Sequence, residues 1–182
     1  MSEQVMVDIE TLGTDVDAVI LSIGAVLFDP SRWTDKLIIS SFEAHIDPAD
    51  CQRLGMTIDA NTALWWMDAD RAEAREALLE HKHTWLDLWS ALDQFHVWFG
   101  DQSMPVWGNG ATFDNVILRN AFERCGRVVP WNFRHDRCHR TFKSLAPWIK
   151  PERTGTHHSA VDDAVYQTQQ LKMVADELGV TV

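Results

Sequence analysis

Three consecutive β-prone stretches near the N-terminus constrain the fold of this chain more than any other feature. The stretches Val5–Ile9, Val19–Phe28 and Leu37–Ile46 are rich in Val, Ile and Leu, as strands are. The connections at Thr11–Asp15 and Asp29–Asp35 are short and carry the Gly, Pro and Asp residues that turns favour. The pattern predicts a three-stranded antiparallel meander.

Helix-forming composition begins after the third stretch. Three segments carry apolar residues at three- and four-residue spacings: Asp59–Met67, Ala69–Glu80 and Thr84–Phe99. In the last of them the spacing predicts one core-facing side, formed by Trp85, Leu88, Trp89, Leu92, Phe95 and Phe99.

The rest of the chain alternates between strand and helix patterns. The expected elements are a buried strand from Pro105 into a glycine turn at Gly108–Gly110, a helix at Phe113–Cys125, a strand around Trp131, a helix at Arg140–Leu145 and a helix at Ala160–Leu178. The polar segment Lys150–Thr156, which carries Pro and Gly, is expected to be a mobile loop. This order predicts an α/β fold, a mixed sheet flanked by helices, in a single domain at 1–182.

Composition limits the classes of function. The net charge of −11 repels nucleic acid unless basic residues or bound cations reverse the local field. The three cysteines indicate neither a disulfide framework nor a zinc knuckle, and the N-terminus lacks the regions of a signal peptide. No apolar run approaches the roughly 20 residues of a membrane span. A cytoplasmic location without membrane contact is therefore expected. A metal-independent hydrolase is not indicated, because the sequence contains no G-x-S-x-G motif.

Two carboxylates on the first strand are the first candidate for chemistry. Asp8 and Glu10 are two residues apart, so both side chains project from the same face of the strand. One interpretation is an exposed polar edge. The other is a hard-cation site, because clustered carboxylate oxygens suit Mg²⁺ or Mn²⁺.

A third carboxylate, Asp114, follows the glycine turn where a strand gives way to a helix. It can serve the cation site from the end of the sheet, or it can simply complement the positive N-terminus of its helix.

The segment Thr156–Ala164 contains two adjacent His and two adjacent Asp residues. Ser159 and Asp162 form an S-x-x-D pattern close to a capping box, which gives Asp162 a structural role. Asp163 has no such role and is the candidate ligand. His158 can reach over the same site, and a His beside an attacking water is a natural general base.

Together these residues resemble a known family. Asp8-Ile-Glu10-Thr, Phe113-Asp114 and His158-x-Ala160-x-x-Asp163 are similar, in order and type, to the three motifs of the histidine-bearing (DEDDh) subgroup of DEDD exonucleases. The strings that begin at Trp107 and Phe133 are similar to a phage- and prophage-associated branch described as exonuclease VIII-like, related to bacterial 3′-5′ exoribonucleases. His158 has the family spacing to Asp163, whereas His157 does not.

The resemblance implies an RNase H-like mixed sheet of five strands flanked by helices. It also implies that Asp8, Glu10, Asp114 and Asp163 hold two divalent cations, Mg²⁺ or Mn²⁺, and that His158 deprotonates the attacking water. Nucleoside 5′-monophosphates would leave from the 3′ end of a single strand or overhang. Because relatives are often dimeric, a homodimer is expected.

Several residues are candidates for substrate contact. By the resemblance, Thr11 and Leu12 seat the terminal nucleotide, although a turn explains them as well, and Asn109 and Phe113 line the pocket. Adjacent residues on a helix point about 100° apart, so Trp65 and Trp66 are not expected to share one core face. One of the two can stack on a nucleobase, or both can serve packing or a dimer contact.

Basic residues recur every three positions at Arg134, Arg137, Arg140 and Lys143. If helical, they would form a drifting stripe, either a solvated face or a patch in which Arg137 and Arg140 contact phosphates. DNA is the favoured polymer, with RNA as the alternative enzyme substrate. A catalytically silent nucleic-acid-binding module is the alternative from another class.

Overall fold

The computed structural model describes residues 3–32, 36–100 and 104–182. Its strands are β1 (Gln4–Thr11), β2 (Ile20–Phe28), β3 (Ile38–His45), β4 (Val106–Gly108) and β5 (Asp136–Cys138). Its helices are α1 (Pro48–Arg53), α2 (Ala60–Met67), α3 (Ala72–Glu80), α4 (Leu88–Phe99), α5 (Asp114–Arg124), α6 (His139–Lys143) and α7 (Ala160–Leu178). Short 3-10 turns lie at Ala69–Arg71, His81–Thr84 and Phe133–His135.

The strands form one mixed five-stranded sheet in the order β3-β2-β1-β4-β5. Strands β1, β2 and β3 are antiparallel neighbours, whereas β4 and β5 add to β1 in parallel. The predicted meander and the α/β class with a five-stranded mixed sheet are therefore confirmed. The parallel strands are possible because helices supply the long crossovers that such pairs need.

The two faces of the sheet carry separate apolar clusters. Val7 and Ile9 point to one face, where they pack with Leu92 and Phe95 of α4 and Leu118 of α5. The other face is covered by α7, whose buried residues Ala164 and Leu171 pack with Met6, Val26 and Phe28. Because side chains alternate along a strand, Asp8 and Glu10 fall on the α7 face with Met6.

Three details of the secondary-structure prediction are wrong. The strand expected around Trp131 lies instead at β5, and Trp131 is a buried loop residue whose indole donates to Asp136 Oδ1 at 2.7 Å. Helix α4 begins only at Leu88, which leaves Trp85 outside it, and Trp89 is 46% exposed. Helix α1 was missed, although Asp47 caps it and Pro48 opens it, which is a recognisable start signal.

The predicted turn at Asp29–Asp35 falls partly on residues 33–35, outside the described residues. Among the residues that are described, no helix has the length and apolarity needed to cross a membrane.

Candidate active site

The β1 carboxylates lie at the centre of the sheet. Asp8 pairs with Gly24 of β2 in the register, and Glu10 pairs with Ser22. Asp8 is 8% exposed, and its Oδ1 accepts a hydrogen bond of 2.7 Å from Gln167 Nε2 of α7. Because both carboxylates lie on the same face of β1, both point toward the first turns of α7.

Asp114 enters the same region from the first turn of α5. Helix α5 follows β4 closely: a Cβ on Gly108 would lie 2.3 Å from Asn115 Oδ1 and 3.0 Å from Asp114 Cβ. Only a glycine permits this approach, and it brings the buried Asp114 to the β1 carboxylates.

The start of α7 is held by a second close approach. A Cβ on Gly24 would lie 2.1 Å from the carbonyl carbon of Ala160 and 2.2 Å from the nitrogen of Val161. The helix backbone therefore rests directly on β2, and this contact sets the distance between Asp163 and the sheet. The backbone N–H of Asp163 donates to Ser159 O at 2.8 Å.

The capping interpretation of Asp162 needs correction. Ser159 is the N-cap residue, but its side chain makes no capping hydrogen bond. Asp162 Oδ2 instead accepts a hydrogen bond of 2.8 Å from the backbone N–H of Thr156. Asp162 thus fastens the preceding loop to α7, which is a structural role of another kind, and it does not line the cleft with Asp163.

Asp8, Glu10, Asp114 and Asp163 converge on one cleft of about 470 Å³. Burial is the main cause that raises the pKa of Asp8 and of Glu10 well above the ordinary value, and the neighbouring carboxylates raise both further. Burial also raises the pKa of Asp114 to about 7, against the opposing effect of backbone N–H groups and Arg140. Four carboxylates held this close repel one another unless cations join them.

His158 lies over the same cleft. Its Nδ1 is 4.0 Å from Glu10 Oε1, and its ring is edge-on to Trp65 with centroids 5.0 Å apart. Its φ of 65° is in the left-handed region, where non-glycine residues concentrate at functional sites. Burial lowers the pKa of His158 to about 4, so the imidazole is neutral at pH 7. His157 is exposed, and its ring lies 3.9 Å from the His158 ring.

The donor set fits divalent cations. Ligand atoms of Glu10, His158 and Asp163 lie within 4.8 Å of one another. Asp114 Oδ2 is buried and has no hydrogen-bond partner in the described part of the chain. A buried anionic oxygen without a donor is costly, and a cation would remove that cost. The predominance of carboxylate oxygens suits Mg²⁺ or Mn²⁺ better than a thiophilic metal.

One wall of the cleft is basic. Arg140 lies over Gly110 and lines the cleft, and Lys143 Nζ donates to Asn109 Oδ1 at 3.0 Å. Arg153 lines the cleft from the loop before α7 and forms an ion pair with Asp163. The cleft thus combines an acidic floor with cationic groups that can contact phosphates.

The aromatic candidates separate into two roles. Trp66 is 5% exposed and donates from Nε1 to Thr11 O at 2.9 Å, so it anchors α2 to the end of β1. Trp65 is half-buried and lines the cleft together with Phe113. Both also border an adjacent, mostly apolar cavity of about 490 Å³ that includes Thr11. Trp65 is thus the member of the pair available for stacking.

Two predicted contacts lie away from the cleft. Leu12 packs with Leu21 and Trp66 behind it. Arg137 lies on β5, where its Nη1 donates to the carbonyls of Arg134 and Asp136 at 3.0 and 2.9 Å. The helical basic stripe does not exist, because these residues are divided between a 3-10 turn, β5 and α6.

The sequence analysis did not assign Gln167 or Arg153 to the site. Gln167 had a usable signal, because it is four residues after Asp163 on a helix and so shares its face. Arg153 had none, since the path of a loop depends on tertiary packing.

Comparisons with known proteins identify a family for this chain. The family model of the Rv2179c-like 3′-5′ exoribonuclease domain matches residues 3–175. A search of curated proteins finds no match.

Solved structures of E. coli exonuclease I are similar in fold. The complex with a dT13 oligonucleotide has a TM-score of 0.64 and 18% identity over 96% of this chain and 41% of that chain. The zinc-bound complex with single-stranded DNA has a TM-score of 0.66 and 18% identity over 98% and 42%. This chain therefore spans about two fifths of the exonuclease I chains, and the similarity shows a shared fold.

Proposed function

Because the chain belongs to the Rv2179c-like 3′-5′ exoribonuclease domain family, we propose that it removes nucleoside 5′-monophosphates from the 3′ ends of single-stranded RNA. The observation that carries the proposal is the convergence of Asp8, Glu10, Asp114 and Asp163 from three separate elements on one cleft. A structural role does not require four buried or half-buried carboxylates whose negative charges repel one another.

In this mechanism the four carboxylates would hold two divalent cations, Mg²⁺ or Mn²⁺. When bound, the cations would stabilise the negative charge on the attacking and leaving oxygens of phosphodiester hydrolysis. The chain's own residues position the strand: Arg140 and Lys143 contact backbone phosphates, and Trp65 and Phe113 contact the bases. Stacking tolerates any base, so this arrangement favours little sequence preference.

His158 is the proposed general base, as in the DEDDh subgroup. Its low pKa keeps the imidazole neutral, and a neutral imidazole can accept a proton from the attacking water. Glu10 and Asp163 lie close enough to stabilise the imidazolium that forms.

Single-stranded DNA is the second candidate substrate. The similar exonuclease I structures contain DNA oligonucleotides, and nothing in the described cleft residues singles out a contact to a 2′-hydroxyl. The family description favours RNA over the DNA that the sequence analysis favoured.

Matched RNA and DNA oligonucleotides with a 5′ label test the proposal. The wild type and Asp163→Asn would be incubated with each polymer in Mg²⁺, Mn²⁺ or EDTA. We expect a ladder of 3′-shortened RNA with metal, none with EDTA and none with the variant. A ladder with DNA alone would select the second candidate. No cleavage of either polymer would favour the silent binding module.

Homodimerisation, the phage-associated branch and the cytoplasmic location stay predictions. Light scattering coupled to size-exclusion chromatography measures the first of them directly.

A further inference from the structure

Arg153 is a cation that the chain itself delivers to the acidic cleft. Its Nη2 donates to Asp163 Oδ1 and, at 3.3 Å, to Thr156 O. Its guanidinium carbon is 5.1 Å from the centroid of the Tyr166 ring, and its side chain is 27% exposed. The side chain is therefore fixed on three sides rather than extended into solvent.

Both oxygens of Asp163 are engaged by donors from the same loop. Oδ1 accepts from Arg153, and Oδ2 accepts from the backbone N–H of His158 at 3.2 Å. Asp163 is also part of the group whose ligand atoms lie within 4.8 Å of one another. A cation that binds Asp163 must therefore compete with the guanidinium.

Charge balance gives the direction of that competition. Two divalent cations balance the four ionised carboxylates of the cleft. The guanidinium charge is then in excess, and it lies close to cations that repel it. A substrate phosphate would offset part of the excess positive charge that Arg153 then shares with Arg140 and Lys143.

Arg153 also has an unused donor for a phosphate. Its Nε is buried and has no acceptor within the described ranges of the chain. An unpaired buried N–H is costly, and arginine donors match phosphate oxygens well in geometry and charge. Arg153 lines the same cleft as Arg140 and Lys143, so a phosphate bound in the cleft would lie near the Arg153 side chain.

We propose that Arg153 forms an ion pair with Asp163 in the metal-free protein, is displaced from Asp163 when a divalent cation binds, and then contacts the phosphate of the bound nucleotide. The inference rests on the proposed function. Arg153 would then lower the affinity for the metal and raise the affinity for the nucleotide.

Calorimetric titrations with two ligands test the proposal without measuring hydrolysis. The first ligand is Mn²⁺ alone, and the second is a nucleoside 5′-monophosphate in saturating Mn²⁺. We expect Arg153→Ala to bind Mn²⁺ about tenfold more tightly than the wild type and the nucleotide about tenfold more weakly. A factor of about ten in affinity is what one charge-assisted hydrogen bond contributes. Arg153→Gln, which fills more of the space, should shift both affinities in the same directions.

Arg127→Ala is the matched control, because Arg127 pairs with Asp93 on the surface, away from the cleft. Neither affinity should change in that variant. Unchanged or weaker Mn²⁺ binding by both Arg153 variants would overturn the competition, and unchanged nucleotide binding would overturn the phosphate contact. If the wild type binds no Mn²⁺ and cleaves no RNA, the proposed function fails as well. If the wild type does both and the variants match it, only this inference fails.

Discussion

Gly24→Ala tests whether the contact between β2 and α7 positions the site. The new Cβ would lie 2.1 Å from the carbonyl carbon of Ala160, whereas carbon atoms in contact are about 3.5 Å apart. The first turn of α7 must therefore withdraw by about 1.4 Å, and Asp163 must move with it. The clash is with backbone, so no side-chain rotation can relieve it.

The expected effect on activity exceeds the effect on stability. Misplacement of a catalytic group by 1 Å can lower the rate about 100-fold. Overpacking of a core usually costs about 1 to 3 kcal/mol, and we expect the upper end here because backbone atoms meet. Chemical denaturation monitored by circular dichroism measures the free energy of unfolding. Mononucleotide release under conditions in which the variant is folded gives kcat/KM.

Gly126→Ala serves as the control for stability alone. Its Cβ would meet nothing within 4 Å, but its φ of 62° strains an alanine by roughly 1 to 2 kcal/mol. This variant should lose stability and keep its kcat/KM. A folded Gly24→Ala protein with kcat/KM within about threefold of the wild type would refute the positioning argument.

The remaining predictions concern charge. Asp163→Asn should abolish hydrolysis and leave the fold intact, whereas Asp162→Asn should mainly lower the melting temperature, because Asp162 contacts the Thr156 N–H rather than the cleft. Equal loss of activity in both would contradict this division. Arg140→Ala should flatten the salt dependence of RNA binding by about 0.7 in log–log slope, the value for one phosphate contact, whereas Arg137→Ala should not. Identical slopes for both would remove the contact. Between pH 6.5 and 8 in EDTA, the melting temperature of the wild type should fall relative to that of Asp114→Asn, because the raised pKa of Asp114 means that the folded state releases protons there while the unfolded carboxyl is already ionised. The buried His139 and His158 act in the opposite direction, since their unfolded imidazoles still lose protons near pH 6.5, but they do so in both proteins. Identical pH profiles for the two proteins would count against the buried carboxylate cluster.

Local patterns were sufficient to predict the elements that carry the site. Strand alternation placed Asp8 and Glu10 on one face, and the helix predicted at Ala160–Leu178 has the bounds of α7. These predictions succeed because they depend on neighbours in the sequence, which fix the direction of each side chain.

Features that depend on distant contacts could not be predicted. Strand β5 is a short edge strand with two charged residues, and only its pairing with β4 makes it a strand. The apolar Trp131 suggested a strand there, but its ring packs against Phe95 and Phe122, and its indole N–H donates a hydrogen bond to Asp136.

The loop before α7 shows the same limit within the site. Its composition predicts mobility, yet its contacts with Asp162 and Asp163 hold it over the cleft. The choice of Asp163 over Asp162 rested on a capping role that Asp162 does not have, although Asp163 does line the cleft. The position of Arg153 beside Asp163 could not be predicted.

Anomalous diffraction from crystals soaked in Mn²⁺ tests the central claim most directly. The claim is that Asp8, Glu10, Asp114 and Asp163 form one metal centre. We expect two manganese peaks bounded by these four carboxylates, with the Arg153 guanidinium withdrawn from Asp163. No peak among the four carboxylates, with manganese bound elsewhere or not at all, would contradict the account.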